Sequence, residues 1–72
     1  MADGGQSTDF SAFLARVGQI VRKERQRAKL SRRALAERSD VSERYLAQLE
    51  SGAGNISILL LKRVADALAR PV

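Results

Sequence analysis

The feature that most constrains this chain is the stretch of residues 31–52, in which two short helical segments flank a tight turn. Ser31 precedes a run of helix-forming residues and suits the N-cap position, where a hydroxyl accepts a hydrogen bond from a first-turn N–H. Leu35 is the inward position of this first segment. Asp40 tolerates the left-handed backbone of a sharp turn, and Ser42 is suited to cap a second helix. The stretch therefore predicts a helix, a turn and a second helix in immediate succession.

The second of these helices has two different faces. Leu46 and Leu49 lie on one side of a helix that turns by about 100° per residue. The opposite side carries polar, hydrogen-bonding side chains of the kind that read base edges in a major groove. An ordinary solvated face is the alternative interpretation. The outward residues are Glu43, Arg44, Ala47 and Gln48.

The charge of the chain is concentrated next to this stretch. Thirteen Lys and Arg residues against eight Asp and Glu residues give a formal net charge of +5. Between residues 22 and 38 only Glu24 and Glu37 oppose the basic side chains. Such a band is the electrostatic footprint expected of a nucleic-acid partner, whereas a merely soluble surface is more mixed in sign. Its members are Arg22, Lys23, Arg25, Arg27, Lys29, Arg32, Arg33 and Arg38.

The composition excludes several classes of function. The chain has no cysteine and no histidine, so disulfides, thiolate metal sites, the commonest general base and the commonest zinc ligand are all missing. We therefore predict no enzyme, no metal site and no cofactor. The longest apolar run, residues 58–61, is far too short to span a membrane. The expected location is cytoplasmic, without a membrane partner.

Seventy-two residues suffice for one small domain with a modest core. Residues 1–8 are rich in glycine and polar residues and are predicted to be a disordered lead-in, with the domain occupying residues 9–72. A first helix is expected from near Asp9 to about Ala28. Its apolar residues recur at helical spacing and are interpreted as core rather than as base-stacking platforms. They are Phe10, Phe13, Leu14, Val17, Ile20 and Val21.

A last helix is predicted from Ile58 to about Ala69, capped by Ser57. Leu59 does not fit its inward stripe, and Leu60 lies at the border of that stripe. They are either isolated exposed leucines, which are common, or a contact surface for a second subunit or a following segment. The inward stripe is predicted to be Leu61, Val64, Ala65 and Leu68.

From about Val17 to Pro71 the chain resembles the helix-turn-helix of the Cro and cI repressor family, the XRE-type regulators. The resemblance implies an all-α, compact four- to five-helix lambda-repressor-like DNA-binding domain. It also implies a partly buried ion pair, Arg25 with Glu50, that orients the recognition helix. The matching residues are Gly18, Arg25, Leu30-Ser31-Arg32, Leu35-Ala36, Asp40-Val41-Ser42, Leu49-Glu50 and Gly52.

Some residues depart from the family pattern. Lys29 and Asp40 stand where the family commonly has glycine, and a left-handed backbone at Lys29 would cost about 1 kcal/mol. Arg32 and Arg33 replace the usual Gln or Glu pair, and Arg32 is expected to bind phosphate with a full charge. These departures leave the loop geometry open.

The resemblance and the outward face together predict sequence-specific binding of double-stranded DNA, with the helix of residues 42–52 in the major groove. A homodimer on a near-palindromic operator is the expected assembly on DNA. Base contacts are assigned to Glu43, Arg44, Ala47 and Gln48. Phosphate contacts are assigned to Arg32, Arg33, Ser42, Tyr45 and Asn55.

Residues 42–68 resemble more narrowly the bacterial regulators of benzoate catabolism, in which an XRE domain is fused to a shikimate-kinase-like domain. This implies a repressor of an aromatic catabolic operon, whose effector, benzoyl-CoA or a related aromatic-CoA ester, binds a C-terminal domain beyond this chain. The chain would then be the N-terminal part of a longer protein. The alternative from another class is an antitoxin-like or other protein-interaction module that uses the Leu59/Leu60 surface.

Overall fold

The computed structural model describes residues 2–53 and 57–69, which form four α-helices and no strand. The helices are α1 (Ala2–Arg27), α2 (Arg32–Ser39), α3 (Glu43–Ser51) and α4 (Ile58–Ala69). The prediction of an all-α fold is confirmed. Helices α2 and α3 occupy the stretch in which the sequence predicts a helix, a turn and a helix.

The core lies where the four helices meet. Leu35 of α2, Leu46 of α3 and Val64 of α4 are fully buried, and Val21 of α1 is buried against them. Burying a side chain of this size stabilises the fold by about 1.5–3 kcal/mol relative to leaving it exposed. Each helix therefore contributes at least one core residue, and α3 is held from its inner side.

Short polar side chains begin the helices as the sequence predicts. The Ser31 Oγ accepts a hydrogen bond from the Ala34 N–H at 3.0 Å, and the Ser42 Oγ accepts one from the Tyr45 N–H at 2.9 Å. The Ser57 Oγ accepts from the Leu60 N–H at 3.3 Å. Such caps satisfy N–H groups that have no partner within the helix and contribute about 1 kcal/mol each.

The turns adopt left-handed backbone at the positions where the family commonly has glycine. Asp40 ends α2 at φ 59°, and Lys29 lies between α1 and α2 at φ 61°. Gly52 ends α3 at φ 77°. Asp tolerates this conformation through its short polar side chain, whereas Lys29 carries a cost of roughly 1 kcal/mol.

Gly18 allows α1 to approach the end of α3 closely. A Cβ placed at this position would lie 2.8 Å from the Glu50 carbonyl oxygen and closer still to the Leu49 carbonyl oxygen. Any side chain here would force the two helices apart. The glycine thus fixes the distance between α1 and α3.

The start of α1 differs from the prediction. The helix begins at Ala2, so residues 2–8 are helical where a disordered lead-in is predicted, and Asp9 lies within the helix rather than at its start. Once a helix has nucleated, each further residue adds a hydrogen bond, and no proline interrupts residues 2–8. The division of the chain into a lead-in and a domain of residues 9–72 stays a prediction.

The prediction that all apolar residues of α1 are core is wrong for three of them. Phe10, Phe13 and Ile20 are 59%, 51% and 56% exposed, respectively. The helix has 26 residues and is therefore roughly 39 Å long, in a domain that measures only 19 × 17 Å across its shorter axes. The other helices are too short to cover it. In α4, similarly, Ala67 is buried and Ala65 is exposed, because the inward face is turned slightly from the predicted stripe.

Candidate nucleic-acid interface

Helix α3 presents a polar face on the side away from the core. Leu46 and Leu49 anchor the helix, being 0% and 5% exposed. On the other side lie the four predicted base-contact residues. Three of them, Glu43, Arg44 and Gln48, are exposed, and Ala47 is half-buried. One face of α3 is therefore fixed while the other is open to a ligand.

The charged residues of this face are available for contacts. Within residues 2–53 and 57–69, neither Glu43 nor Arg44 forms an ion pair. A guanidinium without an intramolecular partner keeps its planar set of donors free for bidentate recognition. Arg44 is thus presented in a form suited to a base edge or a phosphate.

A buried carboxylate fixes the orientation of α3. The Arg25 Nε donates to the Glu50 Oε2 at 2.7 Å, and the Arg25 Nη2 donates to the Glu50 Oε1 at 3.1 Å. The two side chains are only 11% and 3% exposed. The ion pair predicted from the family resemblance is therefore present, in a bidentate geometry.

Arg25 also connects the neighbouring turn. Its Nη1 donates to the Leu30 carbonyl oxygen at 2.9 Å, just before α2 begins. The hydrogen bond with Glu50, aided by the attraction of its charge, raises the pKa of Arg25 despite the opposing effect of burial. One guanidinium thus joins the end of α1, the α1–α2 turn and α3.

Arg32, a predicted phosphate contact, is also drawn to Glu50. Its Nη2 lies 3.3 Å and its Nε 3.4 Å from the Glu50 Oε1. The side chain nevertheless remains 41% exposed. Arg32 therefore supports the buried carboxylate on one side and faces solvent on the other.

The remaining predicted phosphate contacts differ in how they are presented. Arg33 is exposed and has only a loose contact with Glu37, at 3.8 Å, of a kind that contributes little to stability. Ser42 is exposed, and its hydroxyl keeps a proton to donate while it caps α3. Asn55 lies outside the described residues. Arg33 and Ser42 are thus the two for which the structure leaves a donor facing solvent.

Of the predicted phosphate contacts that the structure describes, Tyr45 is the one whose polar group is least open to solvent. Its hydroxyl oxygen is buried and has no hydrogen-bond partner of good geometry among the described residues. Burial raises the pKa of the Tyr45 hydroxyl, and the nearby backbone of Ser57 opposes that shift. The ring packs against the core cluster. The hydroxyl is therefore not presented to solvent, and the assignment of Tyr45 to a phosphate stays a prediction.

Sequence reasoning missed one contact that supports the turn. The Arg63 Nη1 donates to the Asp40 carbonyl oxygen at 3.3 Å and lies 3.8 Å from the Asp40 Oδ2. This bond holds α4 against the corner between α2 and α3. Because the two residues are far apart in sequence and follow no periodic pattern, no local signal indicates the contact.

The surface around Leu59 is apolar at the start of α4. Leu59 is 61% exposed, as the sequence predicts, and Ile58 is 78% exposed. Leu60 is half-buried. Ile58 lies about 20° around the helix from Ala65, which is also exposed, on the side from which the inward face of α4 is turned away.

The part of the chain that the structure describes contains neither a metal-ligand cluster nor a membrane-spanning helix. Residues 2–53 and 57–69 contain no group of three acidic side chains able to hold a metal ion. Their helices are each too short or too polar to cross a membrane.

Comparison of the sequence with known proteins identifies its family. The helix-turn-helix family profile (HTH_3) matches residues 21–72. Two uncharacterized HTH-type transcriptional regulators of Mycobacterium tuberculosis, from strains CDC 1551 / Oshkosh and ATCC 25618 / H37Rv, are each 42% identical to the chain over 62 residues. No solved structure matches the chain.

The extent of these matches decides what they establish. The aligned residues are 86% of this chain and 44% of each relative, so the chain spans less than half the length of the relatives it matches. The family profile covers most of the chain, including all of α2, α3 and α4. The two relatives are named as HTH-type transcriptional regulators, and the chain belongs to the helix-turn-helix (HTH_3, XRE-type) family.

Proposed function

We propose that this domain binds double-stranded DNA in a sequence-specific manner by inserting the N-terminal end of α3 into the major groove. The observation that carries the proposal is the open polar face of α3 on a helix fixed from behind. Leu46 and Leu49 are buried, Glu50 is held by Arg25, and the opposite face is exposed. A rigid helix with free donors is what direct readout of base edges requires.

Each outward side chain has a role set by its chemistry. Arg44 suits the O6 and N7 acceptors of guanine, and Gln48 suits N6 and N7 of adenine. Ala47 permits close approach and can contact a thymine methyl group. Glu43 can accept from cytosine N4, or it repels phosphate and so disfavours wrong registers.

Contacts to phosphate position the domain more than they specify a sequence. We assign them to Arg32, Arg33 and Ser42, with Asn55 as a further candidate on sequence grounds alone. Arg32 is exposed on the side away from Glu50, and Arg33 has only a weak intramolecular contact. Both stand in the first turn of α2, where the helix dipole also favours a negative ligand.

We further propose that the domain acts as a homodimer on a near-palindromic operator in the cytoplasm. Membership of a family of transcriptional regulators supports this role over an enzymatic one. The narrower resemblance of residues 42–68 favours a repressor of an aromatic catabolic operon, with a benzoyl-CoA-like effector bound by a further domain. That refinement rests on the sequence resemblance alone.

A protein-interaction module is the second candidate, and the exposed Ile58 and Leu59 side chains favour it. Such a module would bind its partner through the Leu59/Leu60 surface. It would therefore retain partner binding after charge reversal of Arg32 and Arg44, whereas DNA binding would be lost.

The test is selection from a random pool of duplex DNA by the whole 72-residue chain at moderate salt, followed by sequencing of the retained DNA. Enrichment of a near-palindrome is the expected result. Retention without enrichment would reduce the function to electrostatic binding. An absence of retention even at low salt would overturn the proposal and direct attention to the Leu59/Leu60 surface.

A further inference from the structure

Helix α1 carries an apolar stripe that the domain leaves uncovered. Phe10, Phe13, Val17 and Ile20 follow one another at intervals of three, four and three residues. This spacing is typical of the seam between two paired helices. Three of the four are more than half exposed, and Val17 is half-buried. We call these four residues the α1 seam.

The α1 seam leads into a groove between α1 and α4. The groove has a volume of about 490 Å³ and is lined mainly by apolar side chains, among them Val17, Ile20, Leu61 and Leu68. The four seam residues lie about 80–160° around the helix from Gly18, the residue that touches α3. A helix bound on the seam would therefore leave the polar face of α3 free.

We propose that the α1 seam binds a second copy of this chain, with the two α1 helices antiparallel. In the register that places both seams in contact, Phe10 of one copy meets Ile20 of the other, and Phe13 meets Val17. Each aromatic ring then faces an aliphatic side chain, and Phe10 reaches the mouth of the groove that Ile20 lines. The same patch serves both copies, as a two-fold interface requires.

The area available matches a weak dimer. Phenylalanine side chains bury roughly 150–250 Å² each, and the two here are 59% and 51% exposed. With Ile20 the seam offers roughly 300 Å² of apolar surface per copy, the size of patch that is often functional on a monomer. Adding the groove and the flanks gives about 1,000 Å² for the pair, the lower limit of specific interfaces.

The charges beside the seam shape the response to salt. Arg16 is exposed and flanks the seam next to the proposed two-fold axis. The Arg16 side chains of the two copies would therefore lie close to each other. This repulsion weakens the dimer at low ionic strength and is screened as salt rises. Self-association should therefore strengthen with salt, whereas DNA binding weakens with salt through the loss of counterion release.

Sedimentation velocity of the whole chain without DNA, over a concentration series up to about 1 mM, tests the proposal. We expect a monomer–dimer equilibrium that Phe13→Ser weakens at least about tenfold. Leu59→Ser is the matched control, since it removes a comparably exposed apolar side chain, 61% against 51%. A monomer throughout, or a dimer that is lost with Leu59→Ser and kept with Phe13→Ser, would overturn it.

Single-cysteine variants test the orientation, because the native chain has no cysteine. Arg16 and Lys23 are both exposed, basic and on the same flank of α1. In the antiparallel pair the two copies of position 16 lie about 3 Å apart along the helix axis, whereas the two copies of position 23 lie about 24 Å apart. A short bis-maleimide should therefore cross-link Arg16→Cys and not Lys23→Cys. Equal cross-linking of both would refute the antiparallel arrangement.

This inference and the proposed DNA binding fail separately. Far-ultraviolet circular dichroism checks that Phe13→Ser keeps its helix content, which we expect of an exposed position. Retention of random duplex DNA by the same variant shows whether the DNA face is intact. A variant that binds DNA and no longer dimerises supports the α1 seam, and a wild type that dimerises without binding DNA leaves the seam established while the proposed function falls.

Discussion

The stretch from α2 to α3 and the first half of α1 obey the same helical periodicity with opposite outcomes. In α2 and α3 the apolar positions Leu35, Leu46 and Leu49 are all buried. In α1 the apolar positions Phe10 and Phe13 are mostly exposed. Periodicity specifies which side chains share a face, but burial also needs a neighbouring element of sufficient length. The comparison shows that helical periodicity does not by itself predict burial. An apolar face that the fold leaves exposed is therefore a candidate binding surface.

The largest effect is expected from the carboxylate that locks α3. Glu50→Ala leaves the half-buried Arg25 without its partner, and breaking such a pair costs about 3–5 kcal/mol. Urea unfolding followed by circular dichroism measures the loss. Glu37→Ala, which removes an exposed and weakly paired carboxylate, is the control and should change stability little. Similar losses for both variants would show that Glu50 is not locked.

Truncating one side chain in α2 and one in the first half of α1 compares the two regions directly. Leu35→Ala should cost about 2–5 kcal/mol, because it leaves a cavity in the core. Phe13→Ala should cost within about 0.5 kcal/mol at low protein concentration, since its side chain is exposed. Urea unfolding at micromolar concentration compares them. Equal losses in the free energy of unfolding would contradict the exposed position of Phe13.

A third prediction separates reading from positioning on DNA. Arg44→Ala should reduce binding to the selected operator by about 1–3 kcal/mol while leaving random DNA nearly unaffected. Arg32→Ala should weaken both kinds of DNA alike and reduce the dependence of binding on salt. Fluorescence anisotropy at several salt concentrations measures these changes. Uniform losses for both variants would contradict the proposed division of roles.

The smallest effect concerns the strained turn before α2. Lys29 has φ 61°, and replacing it by glycine should stabilise the domain by about 0.5–1 kcal/mol. Ala28→Gly is the matched control in the same turn and should destabilise it, since Ala28 does not need that backbone. The midpoint of urea unfolding distinguishes the two. Destabilisation by Lys29→Gly would show that the side chain contributes more than its backbone costs.

Much of the fold could be predicted because its signals are local. The caps at Ser31 and Ser42 and the turn at Asp40 follow from the conformational preferences of single residues. The Arg25–Glu50 pair is not local, and it was predicted only because a family resemblance connected the two positions.

What escaped prediction depends on packing between distant elements. The exposure of Phe10 and Phe13 depends on the lengths of helices elsewhere in the chain. The burial of the Tyr45 hydroxyl and the contact of Arg63 with Asp40 depend on how segments distant in sequence pack around α3 and the turn. Residue types alone do not specify such distances.

The Arg25 guanidinium has a consequence for the way this domain opens. Its bonds to Glu50 and to the Leu30 carbonyl oxygen join segments that are 25 and 5 residues away in sequence. Amides near Arg25 and those of α3 should therefore exchange their hydrogens with similar protection, as one cooperative unit. Amides around Phe10 and Phe13 lack any such connection and should exchange much earlier. Helix α3 is thus expected to be among the last parts of the molecule to unfold, which keeps its exposed polar face in one shape.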